Sequence, residues 1–170
     1  MKVKIGKYPK KSGERKYKVK ISNHDIFSAD VTLAIVILPV FKKLKEHKQG
    51  APLVDNVDVP ENLWRSDEAE DWETDDNWQA RWDYVLNAMI WSFEQIHPKG
   101  GDWEDQFYTG EADFDFVECE ELDENGTRLY EMKHGPNHTL KFDAEGHAAY
   151  SQQINTGLLL FGKYFRALWT

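Results

Sequence analysis

The chain has 170 residues and a mass of 19.9 kDa, which is the size of one ordinary domain. Its 41% of hydrophobic and 30% of charged residues exclude a disordered, collagen-like or low-complexity chain. The longest apolar run, Val31 to Phe41, is shorter than the roughly 20 residues that span a bilayer. Cys119 is the one cysteine, which excludes an internal disulfide framework. We predict a single domain over residues 1–170 that does not enter a membrane.

The net charge of −9 is divided unevenly along the chain. Residues 1–24 carry nine basic groups and one acidic group, residues 55–83 have a net charge of −9, and residues 102–124 carry eleven acidic groups and no basic one. Our main interpretation is that the basic strands pack beside the acidic segments, within the monomer or across a subunit contact. The alternatives are nucleic-acid binding by the basic arm and an acidic surface that mimics nucleic acid. We expect no nucleic-acid partner, because the larger acidic surface repels phosphates at long range.

Residues 1–24 predict a basic β-hairpin. Basic and apolar residues alternate from Lys2 to Tyr8 and again from Lys16 to Ile21, which is the period of half-buried strands. The segment between them, residues 9–14, is rich in turn-forming residues. The alternation predicts that five apolar side chains face inward: Val3, Ile5, Tyr17, Val19 and Ile21.

Three longer segments have the apolar periodicity of helices. They are Val31–Lys48, Trp78–Ile96 and Glu145–Leu168. Pro39 should kink the first helix or begin a new turn within it. Gly157 and Gly162 lower the helix propensity of the third helix, so we expect close packing against a neighbour at both positions. The stripe that this helix is expected to bury consists of Tyr150, Ile154, Leu158, Phe161, Phe165 and Leu168.

Two acidic segments connect these elements. Residues 49–76 form a long connection that contains Trp64 and Trp72, and such a loop is either a functional lid or is anchored by buried tryptophans. Residues 102–124 form the second acidic segment, and the Asn125-Gly126 turn predicts a hairpin that returns through residues 128–132. With a further strand over residues 139–142, we predict an α+β fold. In this fold an antiparallel sheet of about four to five strands packs against the three helices.

The chain has no motif of a nucleotide-binding loop, a serine hydrolase or a cysteine nucleophile. His134 and His138 flank Gly135-Pro136, which excludes a helical zinc motif and favours ordinary turn histidines. One set of residues is a weak candidate site for Mg²⁺ or Ca²⁺, and helix capping and solvation are the favoured explanation of the same carboxylates. The set consists of His24, Asp25, Asp30, Asp55 and Asp58. We expect no cofactor, and an enzyme is the less favoured interpretation.

Aromatic residues are abundant, with seven Trp, seven Tyr and nine Phe. Aromatic rings beside Lys or Arg can form a pocket for a nucleotide-sized anion. The first candidate group is Arg81, Trp82 and Trp91, and the second is Lys163, Tyr164 and Arg166 together with Trp169. Packing in the core is the favoured interpretation for each group, and the ligand pocket is the hypothesis that competes with it.

Several short runs of the sequence together carry a resemblance to a known group of proteins. They are Ser28–Ala34 with Ile37–Pro39, Gly50–Pro52 with Val54-Asp55, Asp58–Glu61, Arg81-Trp82 with Val85-Leu86 and Met89–Glu94, and Gly157-Leu158 with Leu160–Phe165. These runs resemble a family of small uncharacterised proteins of tailed bacteriophages, over about residues 25–97 and 144–169. The resemblance implies a protein made in the cytoplasm of an infected host bacterium, with virion association as a further possibility. It implies no catalytic residue.

These observations lead to three hypotheses. The first is a phage accessory protein that acts as a homo-oligomeric, non-catalytic binding module. It would sequester a small anionic or nucleotide ligand or block a host defence protein. The alternatives are a virion-associated or scaffold interaction protein, and a metal-dependent phosphoesterase that uses the carboxylates of the candidate metal site with His24.

Overall fold

A computed structural model describes residues 1–9, 13–66, 68, 70, 73–100 and 102–169. These residues contain three α-helices, which are α1 (Ala29–His47), α2 (Trp78–Ile96) and α3 (Ala144–Tyr164). Their six strands are β1 (Lys2–Ile5), β2 (Tyr17–Lys20), β3 (Tyr108–Thr109), β4 (Phe114–Leu122), β5 (Arg128–His134) and β6 (Lys141–Phe142). The prediction of an α+β protein is confirmed.

The prediction of one sheet with four to five strands is wrong. The strands of the described residues form three separate antiparallel pairs, β1–β2, β3–β6 and β4–β5. A larger sheet needs several strands that share one buried face. Here β3 and β6 have two residues each, and nearly all residues of the two longer hairpins are exposed on both faces.

The chain divides into two compact units. Unit 1 comprises Met1–Gly101 together with Gln153–Thr170, and unit 2 comprises Asp102–Gln152. Unit 1 contains β1, β2, α1 and α2, and unit 2 contains the other four strands. Helix α3 contributes residues to both units.

The three predicted helices are present. Helix α2 has the predicted bounds, whereas α1 begins two residues before Val31. Helix α1 continues through Pro39, although a proline removes one backbone hydrogen-bond donor, so Pro39 does not end the helix. Among the described residues, no helix combines the length and the hydropathy that a membrane crossing requires.

The core of unit 1 lies where its helices meet the connection between α1 and α2. Phe41 of α1, Phe93 of α2 and Phe161 of α3 make edge-to-face contacts, with ring centroids 5.3–5.6 Å apart. The buried cluster draws on all three helices and on Val54 and Val59 of the connection. Its members are Ala34, Leu38, Phe41, Leu44, Val54, Val59, Trp82, Val85, Leu86, Met89, Phe93, Leu160 and Tyr164.

The face that α3 buries differs in part from the predicted stripe. Ile154, Gly157, Leu160 and Tyr164 are buried, whereas Phe165 lies in the following 3-10 turn and is exposed. Close packing at Gly157 is confirmed, because a Cβ atom there would lie 2.5 Å from the carbonyl oxygen of Ala88. The same prediction for Gly162 is wrong, because a Cβ atom there would meet nothing within 4 Å.

The basic hairpin is present, but its apolar side chains are not buried. Val3 pairs with Val19 and Ile5 with Tyr17, as the alternation of the sequence requires. The prediction that these residues and Ile21 face inward is wrong, since all five are exposed and Tyr17 retains 77% of its accessible surface. Alternation defines the two faces of a hairpin but does not determine whether another element covers either face.

Within the described residues, the connection between α1 and α2 is anchored by aliphatic side chains rather than by Trp64. Val54 and Val59 are buried, and two 3-10 turns, Asn56–Asp58 and Glu61–Leu63, lie on either side of Val59. Trp64 is exposed, although its indole nitrogen donates a hydrogen bond of 3.0 Å to the carbonyl oxygen of Val59. Trp72, the other tryptophan of the predicted loop, lies outside the described residues.

Unit 2 is held together by stacked rings. The indole of Trp103 stacks on His147 and Tyr150, with centroid distances of 5.3 and 5.2 Å. The buried Phe107 meets the same His147 and Tyr150 rings edge to face. These contacts join the loop after residue 102 to the first turns of α3.

Candidate functional site

Arg81 forms hydrogen bonds within unit 1 and is not open to an external anion. We call its bonds to Asp75 and Leu63 the tether. It lies in the first turn of α2 and only 3% of it is exposed. Its two terminal nitrogens donate to both oxygens of Asp75 at 2.9 and 2.8 Å, and one of them also donates to the carbonyl oxygen of Leu63 at 3.0 Å. The guanidinium holds the pKa of Asp75 below its usual range, chiefly through these hydrogen bonds. The tether fixes the connection against the start of α2.

Trp82 is a core residue in the described structure. Its side chain is fully buried, and its ring meets the ring of Tyr164 edge to face at 5.8 Å. The indole nitrogen has no hydrogen-bond acceptor among the described residues. Because no face of the ring reaches solvent, Trp82 cannot stack on a ligand without opening the core.

Trp91 does not share a site with Arg81 and Trp82. It lies nine residues after Trp82 on α2, which is about 13 Å along the helix axis and on the opposite face. Trp91 is half-buried. The first candidate group is therefore distributed over the helix rather than brought together.

The second candidate group meets two of the candidate metal ligands. Lys163 Nζ lies 2.6 Å from Asp55 Oδ2 and 2.5 Å from Asp58 Oδ2. The hydroxyl of Tyr164 donates to Asp58 Oδ2 at 2.6 Å and accepts the backbone N–H of Asp55 at 3.0 Å. Two adjacent residues at the end of α3 thus hold both ends of the 3-10 turn Asn56–Asp58.

The charges of this cluster are partly compensated within it, because the ammonium of Lys163 lies between the carboxylates of Asp55 and Asp58. Hydrogen bonds to Asp55 and Asp58 raise the pKa of Lys163 above its usual value, so the ammonium stays charged. Burial, together with the hydrogen bond to Asp58, raises the pKa of Tyr164 to about 12. A divalent cation at the two carboxylates would have to displace Lys163, and an anion at Lys163 would have to displace the carboxylates. The cluster is suited to joining two parts of unit 1.

Arg166 and Trp169 follow this cluster and are both exposed. Arg166 lies in the 3-10 turn Phe165–Ala167. The ring of Trp169 lies against Gly50, where a Cβ atom would come 3.4 Å from it. Of the predicted ligand-binding cations, Arg166 alone is exposed and forms no ion pair within the described residues.

The remaining metal candidates are not assembled into a ligand set. Asp25 accepts hydrogen bonds from the N-terminal amine and from Ser22, and these lower the pKa of its carboxyl to about 2. His24 and Asp30 are exposed. No group of three or more His, Cys, Asp or Glu residues among those described could hold a metal ion.

His134 and His138 stack on each other rather than converge on a metal. Their ring centroids are 3.8 Å apart and the ring planes differ by 6°. His138 Nδ1 lies 2.9 Å from the carbonyl oxygen of Asp113, and the ring of Phe114 contacts both histidines. Parallel stacked rings direct their nitrogens side by side, which is unsuited to a shared metal ion.

An open depression in unit 1 contains none of the predicted ligand-binding residues. It lies between the middle of α1 and the end of α2. Its walls are Leu38, Pro39, Lys42, Glu94, His97, Lys99 and Gly100. Lys42 forms an ion pair with Glu94 across the depression, so its charge is compensated there.

Another exposed apolar surface of the described residues lies on the β4–β5 hairpin, which no sequence pattern marked as a site. Phe116 pairs with Met132, and Glu118 with Tyr130, so Phe116, Met132 and Tyr130 lie on one face. Their exposed fractions are 68%, 57% and 59%. We call this set the apolar face of β4–β5. The sequence predicted this hairpin from its Asn125-Gly126 turn, and the apolar residues of its strands were not interpreted as a site.

Comparison with known proteins adds no assignment to these surfaces. No family model, curated protein or solved structure matches the chain.

Proposed function

We propose that the chain is a non-catalytic binding module that docks on a basic protein through the apolar face of β4–β5. The observation that supports this proposal is the exposure of Phe116, Tyr130 and Met132 on one face of a two-stranded sheet. A two-stranded hairpin alone is marginally stable in water, so a partner that covers this face would stabilise it. Exposed apolar patches within polar surroundings are typical of protein interaction sites.

The charge of unit 2 defines the chemistry of the partner. Residues 102–152 carry fourteen acidic and three basic groups, a net charge of −11. An apolar patch within this field is complementary to a partner with an apolar centre and a basic rim, because opposite potentials steer association and suppress other partners. The resemblance to phage proteins is our reason for expecting this partner in an infected bacterium, where the chain would block it.

Capture of a small anion by the predicted residues has less support. Arg81, Lys163 and Tyr164 are engaged in internal hydrogen bonds, and Trp82 is fully buried. A ligand that used them would first have to break contacts that hold unit 1 together. We therefore propose a protein partner rather than a nucleotide.

The experiment compares three immobilised proteins with a lysate of a bacterial host. They are the unchanged chain, the double variant Phe116→Ser/Met132→Ser, and the control Val57→Ser/Leu159→Ser, which alters two residues that are 85% and 74% exposed elsewhere. We expect the chain and the control to retain the same basic protein. The purified partner should bind the hairpin variant at least about tenfold more weakly by calorimetry. Equal retention by all three proteins would refute the proposal, as would a failure of the unchanged chain to retain any protein.

A further inference from the structure

The β1–β2 hairpin carries four lysines on one face. Lys2 lies opposite Lys20, and Lys4 lies opposite Lys18. Because successive side chains of a strand point to opposite sides, all four lie on the face away from Val3 and Val19. They line a shallow hollow, and we call this set the lysine face. None of the four forms an ion pair within the part of the chain that the structure describes.

This arrangement is unfavourable for an isolated hairpin. Opposite residues of an antiparallel pair have Cβ atoms about 5 Å apart, and like charges at that position destabilise the pair. The hairpin gains little from burial, since Ile5 and Tyr17 on its other face are 58% and 77% exposed. An anionic partner that neutralises the lysine face would remove the repulsion and cover part of the hairpin.

The chain itself offers an anionic surface of suitable size. Glu120, Glu121 and Glu124 lie at or beside the turn of the β4–β5 hairpin, and all three are exposed. None of them forms an ion pair among the described residues, whereas Glu118 and Glu131 on the same hairpin are paired with Arg128 and Lys133. We call these three glutamates the acidic tip.

The charge distribution favours a protein partner over a polyphosphate. Residues 1–24 have a net charge of +8 in a chain of −9, so the other residues together carry −17. This negative charge repels nucleic acid at long range and attracts a basic hairpin. A second copy of the chain supplies such an acidic complement and is present wherever the chain is present.

We infer that the lysine face of one chain binds the acidic tip of a second copy. Each chain carries one face and one tip, so a two-fold dimer makes the contact twice. The two contacts reinforce each other, because the first raises the effective concentration for the second. The inference goes beyond the proposed function, since it uses neither Phe116 nor Met132.

The test measures the mass in solution by sedimentation equilibrium across salt concentration. The unchanged chain should have twice its 19.9 kDa mass in low salt. It should approach the monomer mass at about 1 M salt, where the Debye length falls to about 3 Å. A monomer at every salt concentration would overturn the inference, because contact between face and tip would then be absent or confined to one chain.

Charge reversal identifies the surfaces involved. The variants Lys4→Glu/Lys18→Glu and Glu120→Lys/Glu121→Lys should each be monomeric in low salt. An equimolar mixture of the two should form a heterodimer, because the intact lysine face of one variant then meets the intact acidic tip of the other. Formation of the heterodimer would also show that both variants are folded. A control, Lys99→Glu/Lys141→Glu, alters two exposed lysines without ion pairs among the described residues and should dimerise like the unchanged chain.

Further outcomes of these experiments would overturn the inference or separate it from the proposed function. Dimerisation of Lys4→Glu/Lys18→Glu by itself, or monomers in the mixture, would overturn the inference. Association of the unchanged chain only after a DNA oligonucleotide is added would overturn it in favour of nucleic-acid binding. Phe116→Ser/Met132→Ser should still dimerise, so a failure of the proposed function and a failure of self-association give different results.

Discussion

Gly157 of α3 lies against Ser92 of α2 so closely that a Cβ atom at position 157 would come 2.0 Å from the serine hydroxyl oxygen. The same atom would lie 2.5 Å from the carbonyl oxygen of Ala88, which belongs to the backbone of α2 and cannot rotate away. The two helices can therefore approach this closely only with glycine at position 157.

We expect Gly157→Ala to lower the free energy of unfolding by about 1–3 kcal/mol, because the added methyl group forces α2 and α3 apart. Gly162→Ala is the matched control, since a Cβ atom there meets nothing within 4 Å in the same helix. It should raise the stability by about 0.4–1 kcal/mol, because alanine has the higher helix propensity. Urea denaturation of both variants measures the difference, and a Gly157→Ala protein as stable as Gly162→Ala would contradict this packing.

The tether between Arg81 and Asp75 should make stability depend on pH in acid. The pKa of Asp75 is lower in the folded protein than in the unfolded chain, where it is about 3.8. Its contribution is therefore complete above pH 3.8 and is lost as the pH falls through the lower folded value. Asp75→Asn should be less stable than the unchanged chain at pH 7, and the difference should shrink below about pH 4.

Urea denaturation at pH 7, 4 and 3 gives this comparison. Asp76→Asn is the control, because it removes a neighbouring carboxyl that forms no ion pair among the described residues. A gap between Asp75→Asn and the unchanged chain that stays constant from pH 7 to pH 3 would show that the tether contributes no ionic stabilisation.

The hydroxyl of Tyr164 should stabilise unit 1 measurably. Tyr164→Phe removes the bond to Asp58 and the bond from the backbone N–H of Asp55, so we expect a loss of about 1–2 kcal/mol. Tyr84→Phe, at an exposed tyrosine of α2, should change little. Because the pKa of Tyr164 rises from 10 to about 12 on folding, its contribution is complete below pH 10 and decreases as the pH rises toward 12.

Chemical denaturation of both variants at pH 7 and pH 11 separates the hydroxyl from general effects of base. At pH 11 the difference between Tyr164→Phe and the unchanged chain should be smaller than at pH 7. If Tyr164→Phe lowered the free energy of unfolding at pH 7 no more than Tyr84→Phe, the prediction would be wrong. The hydroxyl of Tyr164 would then gain nothing from its bonds in the folded protein over its bonds to water in the unfolded chain.

Two glycines of unit 2 have positive φ but differ in their surroundings. Gly126, in the turn between β4 and β5, has φ of 79° and open space where a Cβ atom would lie. Gly126→Ala should therefore cost only the backbone strain, about 1–2 kcal/mol. Gly110 has φ of 88°, and a Cβ atom there would lie 2.3 Å from the carbonyl oxygen of Thr139. Gly110→Ala should be the more damaging change.

Hydrogen exchange is the suitable measurement, because it reports on unit 2 locally. Gly126→Ala should accelerate exchange at the amide of Thr127, which donates to Asp123 in the turn. Gly110→Ala should accelerate exchange at Thr139, whose amide donates to Glu111. If Gly110→Ala left the exchange at Thr139 unchanged, the close approach at residue 110 would be refuted.

The sequence predicted the helices because their signal is local and repeated. The apolar residues from Trp78 to Ile96 recur at helical spacing, and α2 has those bounds. The rule that a glycine within a helix needs a packing reason was right for Gly157 and wrong for Gly162, because the sequence alone does not show which glycine faces α2. Hairpin alternation, in contrast, predicted which residues share a face but not that Val3, Ile5 and Tyr17 stay exposed.

The contacts of the candidate site residues could not be predicted from the sequence. Lys163 meets Asp58 across 105 residues, and no periodicity or motif relates the two positions. The buried state of Arg81 depends on Asp75 and on the carbonyl oxygen of Leu63, and a backbone acceptor has no sequence signal. Pairing of this kind becomes visible only when the path of the connection is known.

The contact of Lys163 with Asp58 also has a consequence for biosynthesis. A ribosome adds about 5–20 residues per second, so about 5–20 s pass between the synthesis of Asp58 and that of its partner 105 residues later. During that interval Phe41 and Phe93 lack the ring of Phe161, because this part of α3 has not yet been synthesised. The continuous segment Asp102–Gln152 is synthesised entirely within the same interval and can complete its own contacts first. The core of unit 1 therefore cannot be completed before the last turns of α3 are synthesised, and a nascent chain stalled before residue 160 would lack the contacts that Phe161 makes with Phe41 and Phe93.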